Sequence, residues 1–327
     1  MDASHYRTLT VSRGLAYNVF HAPAAAGKPT LLLLHGFPGS SYDWRRTAPY
    51  LAARGLGVVA PDMLGAGGTA RPADAQAFRL AAIARDVVDI LDALGLAKVV
   101  GVGHDWGCVA LSYLSLLHQA RFAGFVWLAV GFREPATEPF DIEQAMAQAK
   151  ALLGYEWYAY WLFLSRRDAG DVIQEHIDSF LQLTYAKDPA TWPEVLFRRG
   201  KAAEHIEGDV LLGRADWLPQ EEYDKVKQEI ITHGMHSRLL WYTNAVDNND
   251  LEENKKIQKE AYPIKVPSLF VGGSKDPLFV EAVSLETLKK YATDLKIESV
   301  DAGHYIHLER AEEVNKAIEE WVATLSV

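Results

Sequence analysis

An aspartate, a histidine and a second aspartate stand where apolar runs end: Asp105 in VVGVGHDWGCVAL (residues 99–111), Asp276 in VGGSKDPLF and His304 in VDAGHYIHLE. These are the residue types of a nucleophile, a general base and the carboxylate that orients the base. Gly103 and Gly107 bracket Asp105 two residues to either side, a spacing suited to a sharp strand-to-helix turn whose central residue is held in strained backbone. Serine is the usual occupant of such a turn, and aspartate in its place has a chemical meaning. A serine alkoxide attacking saturated carbon would leave an ether, which water does not cleave under mild conditions. A carboxylate, ionised at neutral pH with an ordinary pKa of about 4, leaves an ester on the same carbon. That ester is hydrolysed once donors hold its oxyanion and a base activates water. The pattern predicts a target sp³ carbon bearing a leaving group, with Asp105 as nucleophile and His304, oriented by Asp276, as base of the second step. Asp301 is a weaker partner for His304, standing only three residues before it.

Two plainer readings of Asp105 compete. A lone aspartate at a strand–helix junction is more often the N-cap of the helix. A dinucleotide fingerprint needs G-x-G-x-x-G, and after Gly101 and Gly103 the next glycine falls at 107 instead of 106, which sets that reading aside. Companions elsewhere in the chain decide the matter, and they must be positioned by the fold.

Residues 6–21 predict an antiparallel hairpin turning at Ser12, Arg13 and Gly14. TLLLLHG (30–36) and GVVAPD (57–62) are short continuous apolar runs typical of parallel strands covered on both faces. Residues 42–53 predict a helix. From Leu80 to Leu94 a 3.6-residue apolar period faces Arg85, Asp86, Asp89 and Asp92 across the helix, the pattern of a helix packed on a sheet. KVVGVG supplies the next strand. The same alternation returns after Pro263, with VPSLFVGG, a helical stretch over 280–291, the strand 296–300 and a last helix carrying Val314, Ala317, Ile318, Trp321, Val322 and Leu325. Residues 133–260 lack that alternation and hold aromatic-rich helical segments such as LLGYEWYAYWLFL and HSRLLWYTNAV. The expected organisation is a mostly parallel sheet with helices on both faces (residues 1–132 and 261–327) and a helical cap inserted between its halves.

The motif HGFPGS (35–40) follows the strand 30–34, and PDMLGAGGT follows the strand 57–61. Together with GHDWG, the later Asp276 and the still later His304, these motifs resemble the epoxide hydrolases of the α/β-hydrolase fold, the branch with an aspartate nucleophile that is related to haloalkane dehalogenases. The resemblance covers residues 28–62, 99–107 and 266–308, and the order nucleophile, acid, histidine is that of the fold. It implies an oxyanion hole built from the backbone N–H groups of Phe37 and Trp106, with a cis bond between Phe37 and Pro38. It also implies two cap tyrosines facing the nucleophile, matched best by Tyr242 and by Tyr155. Tyr158 and Tyr160 compete for the second place, and Glu156 stands where many relatives carry Gln. Phe37, Pro38, Trp106, Tyr155 and Tyr242 would line the substrate site.

Leaving-group chemistry separates the enzymatic readings. An opening epoxide makes an alkoxide, and a phenol of pKa about 10 can protonate it yet stay protonated at rest. A departing halide needs N–H donors; Trp106 offers an indole, and dehalogenases with this elbow add a second donor from Asn in the HG-x-P loop or from a cap Trp, whereas that loop position here is Phe37, whose side chain donates nothing. Fluoroacetate-type enzymes carry a cation after the nucleophile, where this chain has Trp106. A non-catalytic small-molecule receptor on the same fold is a third reading, opposed by the complete set of Asp105, His304 and Asp276.

The remaining composition limits partners. The 327 residues carry 33 Lys and Arg against 43 Asp and Glu, a formal charge of -10, which repels nucleic-acid phosphates and anionic membranes. No apolar run reaches the roughly 20 residues that span a bilayer, and the N-terminus lacks a signal-peptide pattern. The single cysteine, Cys108, excludes internal disulfides and suits the cytoplasm. His233 with His236, and His304 with His307, lack a third ligand at any metal-site spacing, so neither metal nor cofactor is expected. The expected partner is a small apolar or aromatic epoxide, bound by a monomer or homodimer.

Overall fold

The computed structural model describes residues 1–278 and 285–326. The chain divides into two units, one comprising Met1–Ala70, Leu80–Pro135 and Glu253–Val327, the other Arg71–Arg79 and Ala136–Glu252.

Among the described residues the first unit holds eight strands: β1 (Tyr6–Thr10), β2 (Ala16–Ala22), β3 (Thr30–Leu34), β4 (Gly57–Pro61), β5 (Val99–His104), β6 (Phe122–Leu128), β7 (Ser268–Gly273) and β8 (Leu295–Val300). They form one sheet in the order β1-β2-β4-β3-β5-β6-β7-β8. β1 pairs antiparallel with β2, and β2 with β4; from β4 to β8 every pairing is parallel. The hairpin turns where the sequence predicts it, with Gly14 at φ 77°. Because β3, β5, β7 and β8 run the same way, the segments that follow them emerge at one edge, and these segments carry HGFPGS, Asp105, Asp276 and His304.

Strand alternation builds the two layers around the sheet. Leu31, Leu33, Val100, Val102, Val126, Leu128, Leu269 and Val271 share one apolar cluster with Ala48 and Leu51 of the helix Ala48–Ala52 and with Val314, Ile318, Trp321 and Val322 of the helix Ala311–Val322. On the other face Gly101 lets the helix Trp106–Leu117 lie close, since a Cβ there would sit 2.6 Å from a Leu111 methyl. The helix Leu80–Ala93 buries Leu80, Ile83, Val87, Val88 and Leu91 of that period, and also Asp86, expected on the polar side, which pairs with Arg13 and accepts from the Tyr17 hydroxyl at 2.7 Å.

The expected helix over 42–53 is broken. Ser41–Arg46 is a 3₁₀ turn, and the α-helix begins at Ala48; Pro49, which has no N–H to give, is tolerated only in a first helical turn. The stretch predicted over 280–291 is helical at Glu286–Tyr291; its residues 280–284 lie outside the described residues.

The second unit is helical, with Ile142–Leu153, Ala159–Leu164, Ala169–Glu175, Ile177–Thr184, Lys201–Glu207, Gln220–His233 and His236–Val246 among its elements. Asp141 caps the first of these, accepting from the N–H of Glu143 at 2.9 Å and of Gln144 at 3.1 Å. Residues 71–79 join this unit through side chains that no periodicity reveals: Ser237 donates to the Pro72 carbonyl at 2.8 Å, and Phe78 meets Trp241 edge to face. No helix among the described residues is long and apolar enough to cross a membrane.

Candidate active site

The turn after β5 places Asp105 at φ 52° and ψ −122°, a conformation seldom adopted outside glycine. The backbone packs tightly on either side of it. A Cβ on Gly107 would lie 2.0 Å from the Leu34 carbonyl oxygen, and one on Gly103 2.8 Å from the backbone of Gly107. Gly107→Ala is therefore expected to destabilise the fold by about 3 kcal/mol, because the atoms it meets are backbone. A urea unfolding midpoint close to that of the wild type would contradict this.

Asp105 occupies the N-cap position of the helix Trp106–Leu117, yet its carboxylate makes no capping bond. This removes the plainer reading of the residue. Its Oδ1 instead accepts from the Phe37 N–H at 2.8 Å, and Gly36 lies so near that a Cβ there would fall 2.4 Å from the same oxygen. Trp106 is the first residue of the helix, where the N–H lies outside the intrahelical ladder. The Phe37-Pro38 bond is cis.

The loop that carries Phe37 is fixed from below by His35. Its Nδ1–H donates to the Gly36 carbonyl at 2.8 Å, and its Nε2 accepts from the Met63 N–H at 2.8 Å. A carbonyl can only accept and an N–H only donate, so these two bonds assign the neutral Nδ1–H tautomer. Met63 is held in turn by its neighbour Asp62, which is buried and accepts from Ser41 N at 2.8 Å, Gly68 N at 2.9 Å and Asn18 Nδ2 at 2.7 Å. In the sequence, Asp62 and His35 stand out only as parts of motifs; their roles become visible through these bonds.

On the other side of Asp105, His304 presents Nε2 to Oδ2 at 3.7 Å. Its Nδ1–H donates to Asp276 Oδ2 at 2.7 Å, and Asp276 Oδ1 accepts from the Leu278 N–H at 2.8 Å. The Asp276 side chain is wholly buried and that of His304 almost so, whereas the Asp105 side chain is 18% exposed. Asp301, the weaker candidate, faces solvent and pairs with Lys275 at 2.8 Å.

Burial opposes the charged forms of His304 and Asp105, and the arrangement overrides it. Asp276 and Asp105 together push the His304 imidazolium up to about 10. The hydrogen bond and charge of His304, with help from the Phe37 N–H, hold Asp105 below the ordinary carboxylate range. At rest the site is therefore an imidazolium between two carboxylates. Behind it lies His104, fully buried and pushed down to about 3 by burial and by the neighbouring His304 charge.

Within the second unit the candidate tyrosines have different neighbours. Tyr242 is buried, and its ring meets Tyr160 at 6.1 Å and Trp161 at 5.4 Å, both edge to face. Tyr155 instead stacks on Phe197 at 5.3 Å. Its neighbour Glu156 is drawn the same way, donating its N–H to the Phe197 carbonyl at 2.9 Å and accepting from Arg199 N at 3.0 Å. Tyr158 packs on Phe140 and Trp161. The structure thus packs Tyr160 against Tyr242 and Tyr155 against Phe197. The reason is local: the helix Ala159–Leu164 carries Tyr160 and Trp161 beside the helix His236–Val246, while Tyr155 precedes that helix and is bound to the 197–199 segment.

Fold and site together define an α/β-hydrolase. A family model described as the alpha/beta hydrolase fold matches residues 29–311, and the chain belongs to that family. Among curated proteins it is similar to Epoxide hydrolase A of Mycobacterium tuberculosis, 29% identical over 307 residues and 92% of each chain. It is 26% identical to the Bifunctional epoxide hydrolase 2 of Rattus norvegicus over 99% of this chain and 56% of that one, so it spans about half of the rat protein. Among solved structures it is similar to Epoxide Hydrolase A from Mycobacterium thermoresistibile, with a TM-score of 0.82, 26% identity and coverage of 98% and 99%.

Proposed function

We propose that this chain hydrolyses an epoxide to a vicinal diol through a covalent ester on Asp105. The observation that carries this reading is an aspartate at the strained elbow whose carboxylate caps nothing, accepts the Phe37 N–H and lies 3.7 Å from the base. The likeness to epoxide hydrolases in sequence and in fold agrees with it.

In the first step an Asp105 oxygen attacks an oxirane carbon, the C–O bond breaks, and the ring oxygen leaves as an alkoxide that takes a proton. We assign that proton to the phenol of Tyr242 or Tyr160, in place of the pair Tyr242 and Tyr155 expected from sequence. In the second step His304 takes a proton from water, the hydroxide adds to the Asp105 ester carbonyl, and the N–H groups of Phe37 and Trp106 hold the oxyanion. Collapse breaks the acyl C–O bond, the departing diol oxygen takes a proton from His304, and the proton left on the Asp105 carboxyl group passes back to His304, restoring carboxylate and imidazolium.

The first step also prepares the second. Alkylation removes the Asp105 charge, one of the two carboxylates that hold the proton on His304. His304 then gives up its proton, which goes to restore the phenol that protonated the alkoxide, and becomes a base when water must be activated. The aromatic cluster of the second unit suits an apolar or aromatic substrate, and the acidic chain with its one buried cysteine suits a cytoplasmic enzyme.

A single turnover in ¹⁸O-water with enzyme in excess tests the route. Water adds to the ester carbonyl, so the label should enter the Asp105 carboxylate while the first diol formed stays unlabelled. Label in the diol from the first turnover would mean direct attack of water on the epoxide. For the acid pair, Tyr242→Phe and Tyr160→Phe are each expected to slow alkylation by about 100-fold, with Tyr155→Phe within about 3-fold of the wild type. Rapid-quench kinetics on a styrene oxide substrate would read this, and a large loss confined to Tyr155→Phe would reverse the assignment.

A further inference from the structure

Three hydrogen bonds join the loops of the site into a closed circuit. His104, the residue before the nucleophile, is fully buried, and its Nε2–H donates to the His304 carbonyl at 3.0 Å. Tyr305, the residue after the base, donates its hydroxyl to the Phe37 carbonyl at 3.4 Å. Phe37 closes the circuit by donating its N–H to Asp105 Oδ1 at 2.8 Å. Each of the three loops thus gives one bond and receives one, through residues that are, or adjoin, the nucleophile, the base and the oxyanion donor. The rings reinforce this: Tyr305 meets His304 edge to face at 5.2 Å, and His104 lies 4.8 Å from His304 and 5.6 Å from Tyr305.

The His104 bond fixes its proton. The carbonyl of His304 can only accept, so Nε2 carries hydrogen, while Nδ1 is buried with no hydrogen-bond partner among the described residues. His307 continues the column, 4.4 Å from His104 and 4.7 Å from Trp44, with neither ring nitrogen hydrogen-bonded among the described residues. The imidazoles behind His304 are neutral spacers, and that of His104 has a fixed tautomer.

We propose that His104 and Tyr305 are positioning residues for hydrolysis of the Asp105 ester, holding the base loop and the oxyanion loop at a fixed separation. The two chemical steps need that separation unequally. Alkylation starts from a carboxylate that the Phe37 N–H already stabilises, and charge on Asp105 disappears as it proceeds. Hydrolysis builds negative charge on an Asp105 oxygen while His304 delivers hydroxide from the other side, so the donor and the base must be correct together. Loosening the circuit therefore costs the second step far more than the first.

This inference rests on the covalent route proposed above, and one experiment separates the two. Rapid-quench mass analysis with styrene oxide gives the rates of ester formation and ester loss on Asp105 for the wild type, Tyr305→Phe, His104→Leu and His104→Gln, with thermal unfolding measured in parallel. Expected are ester hydrolysis slowed about 5-fold in Tyr305→Phe and at least about 10-fold in His104→Leu, with ester formation within about 2-fold of the wild type. His104→Gln, whose amide N–H can replace the imidazole Nε2–H, should return within about 3-fold. Hydrolysis at the wild-type rate in both Tyr305→Phe and His104→Leu overturns the proposal, as does an equal fall of both steps alongside a lowered Tm. Absence of any Asp105 ester in the wild type would remove the covalent route itself.

Discussion

Replacement of His304 by glutamine is expected to stop turnover and leave one ester per chain on Asp105. The reasoning follows from what each step asks of the imidazole. Ester formation needs an ionised Asp105 and a proton donor for the alkoxide; His304 contributes only the nearby charge. Ester hydrolysis needs a proton taken from water by a base that Asp276 orients at 2.7 Å. Glutamine offers a group of similar length but cannot accept that proton at neutral pH, so the second step should slow by about 10³-fold or more, while the first remains measurable. After incubation with an aryl epoxide the intact mass should rise by the whole mass of the epoxide, and peptide mapping should place the addition on Asp105. A variant that is folded, inactive and unmodified would mean that His304 serves the first step or that Asp105 is not the nucleophile. Retained turnover would remove His304 from the mechanism.

The residues brought together at this site were legible in the sequence because each stands at the end of a short apolar strand, within a motif whose local geometry depends on few neighbours. Gly103 and Gly107 announce a tight turn, and the parallel connection brings Asp276 and His304 to the same edge without further information. The neighbours of the cap tyrosines were less accessible. Tyrosines at 155, 158 and 160 lie in a stretch aromatic on every side, and the choice among them depends on where the helix Ala159–Leu164 begins and on Phe197, some forty residues away, which draws Tyr155 aside. The membership of residues 71–79 in the second unit rests on single contacts such as Ser237 to Pro72, which leave no periodic trace. Pro49 did carry a signal against one continuous helix over 42–53, since a proline in a helical turn marks a beginning, not an interior. His104 carries no signal in the sequence beyond its place before Asp105; only the carbonyl of His304 at 3.0 Å and the ring column give it a task.

Asp105→Asn is expected to abolish turnover and, in the same protein, to lower the pKa of His304. Loss of a nucleophile whose partners remain in place reduces turnover by about 10⁴-fold or more, since a neutral amide cannot form the ester. The effect on His304 is the more informative one. Asparagine has nearly the shape of aspartate and no charge, and so reproduces electrostatically the esterified Asp105 that His304 faces when it must act as a base. In the resting site, Asp276 and Asp105 oppose burial and hold the imidazolium up to about 10. With Asp105 neutral, Asp276 alone supports the charge, and the pKa should fall towards the ordinary histidine value of about 6.5. An NMR titration of the His304 ring in both proteins would measure the shift, and the value in Asp105→Asn should coincide with the acid limb of ester hydrolysis in the wild type. Stability gives an independent reading of the same linkage. A folded-state pKa above the unfolded value contributes stability that is complete below about 6.5 and is lost as pH rises through about 10. The wild type should therefore lose unfolding free energy between about pH 7 and 10 more steeply than Asp105→Asn, by denaturant titration at fixed ionic strength. Equal slopes with an unmoved His304 titration would mean that Asp105 does not hold the proton on the base, and that alkylation does not switch it.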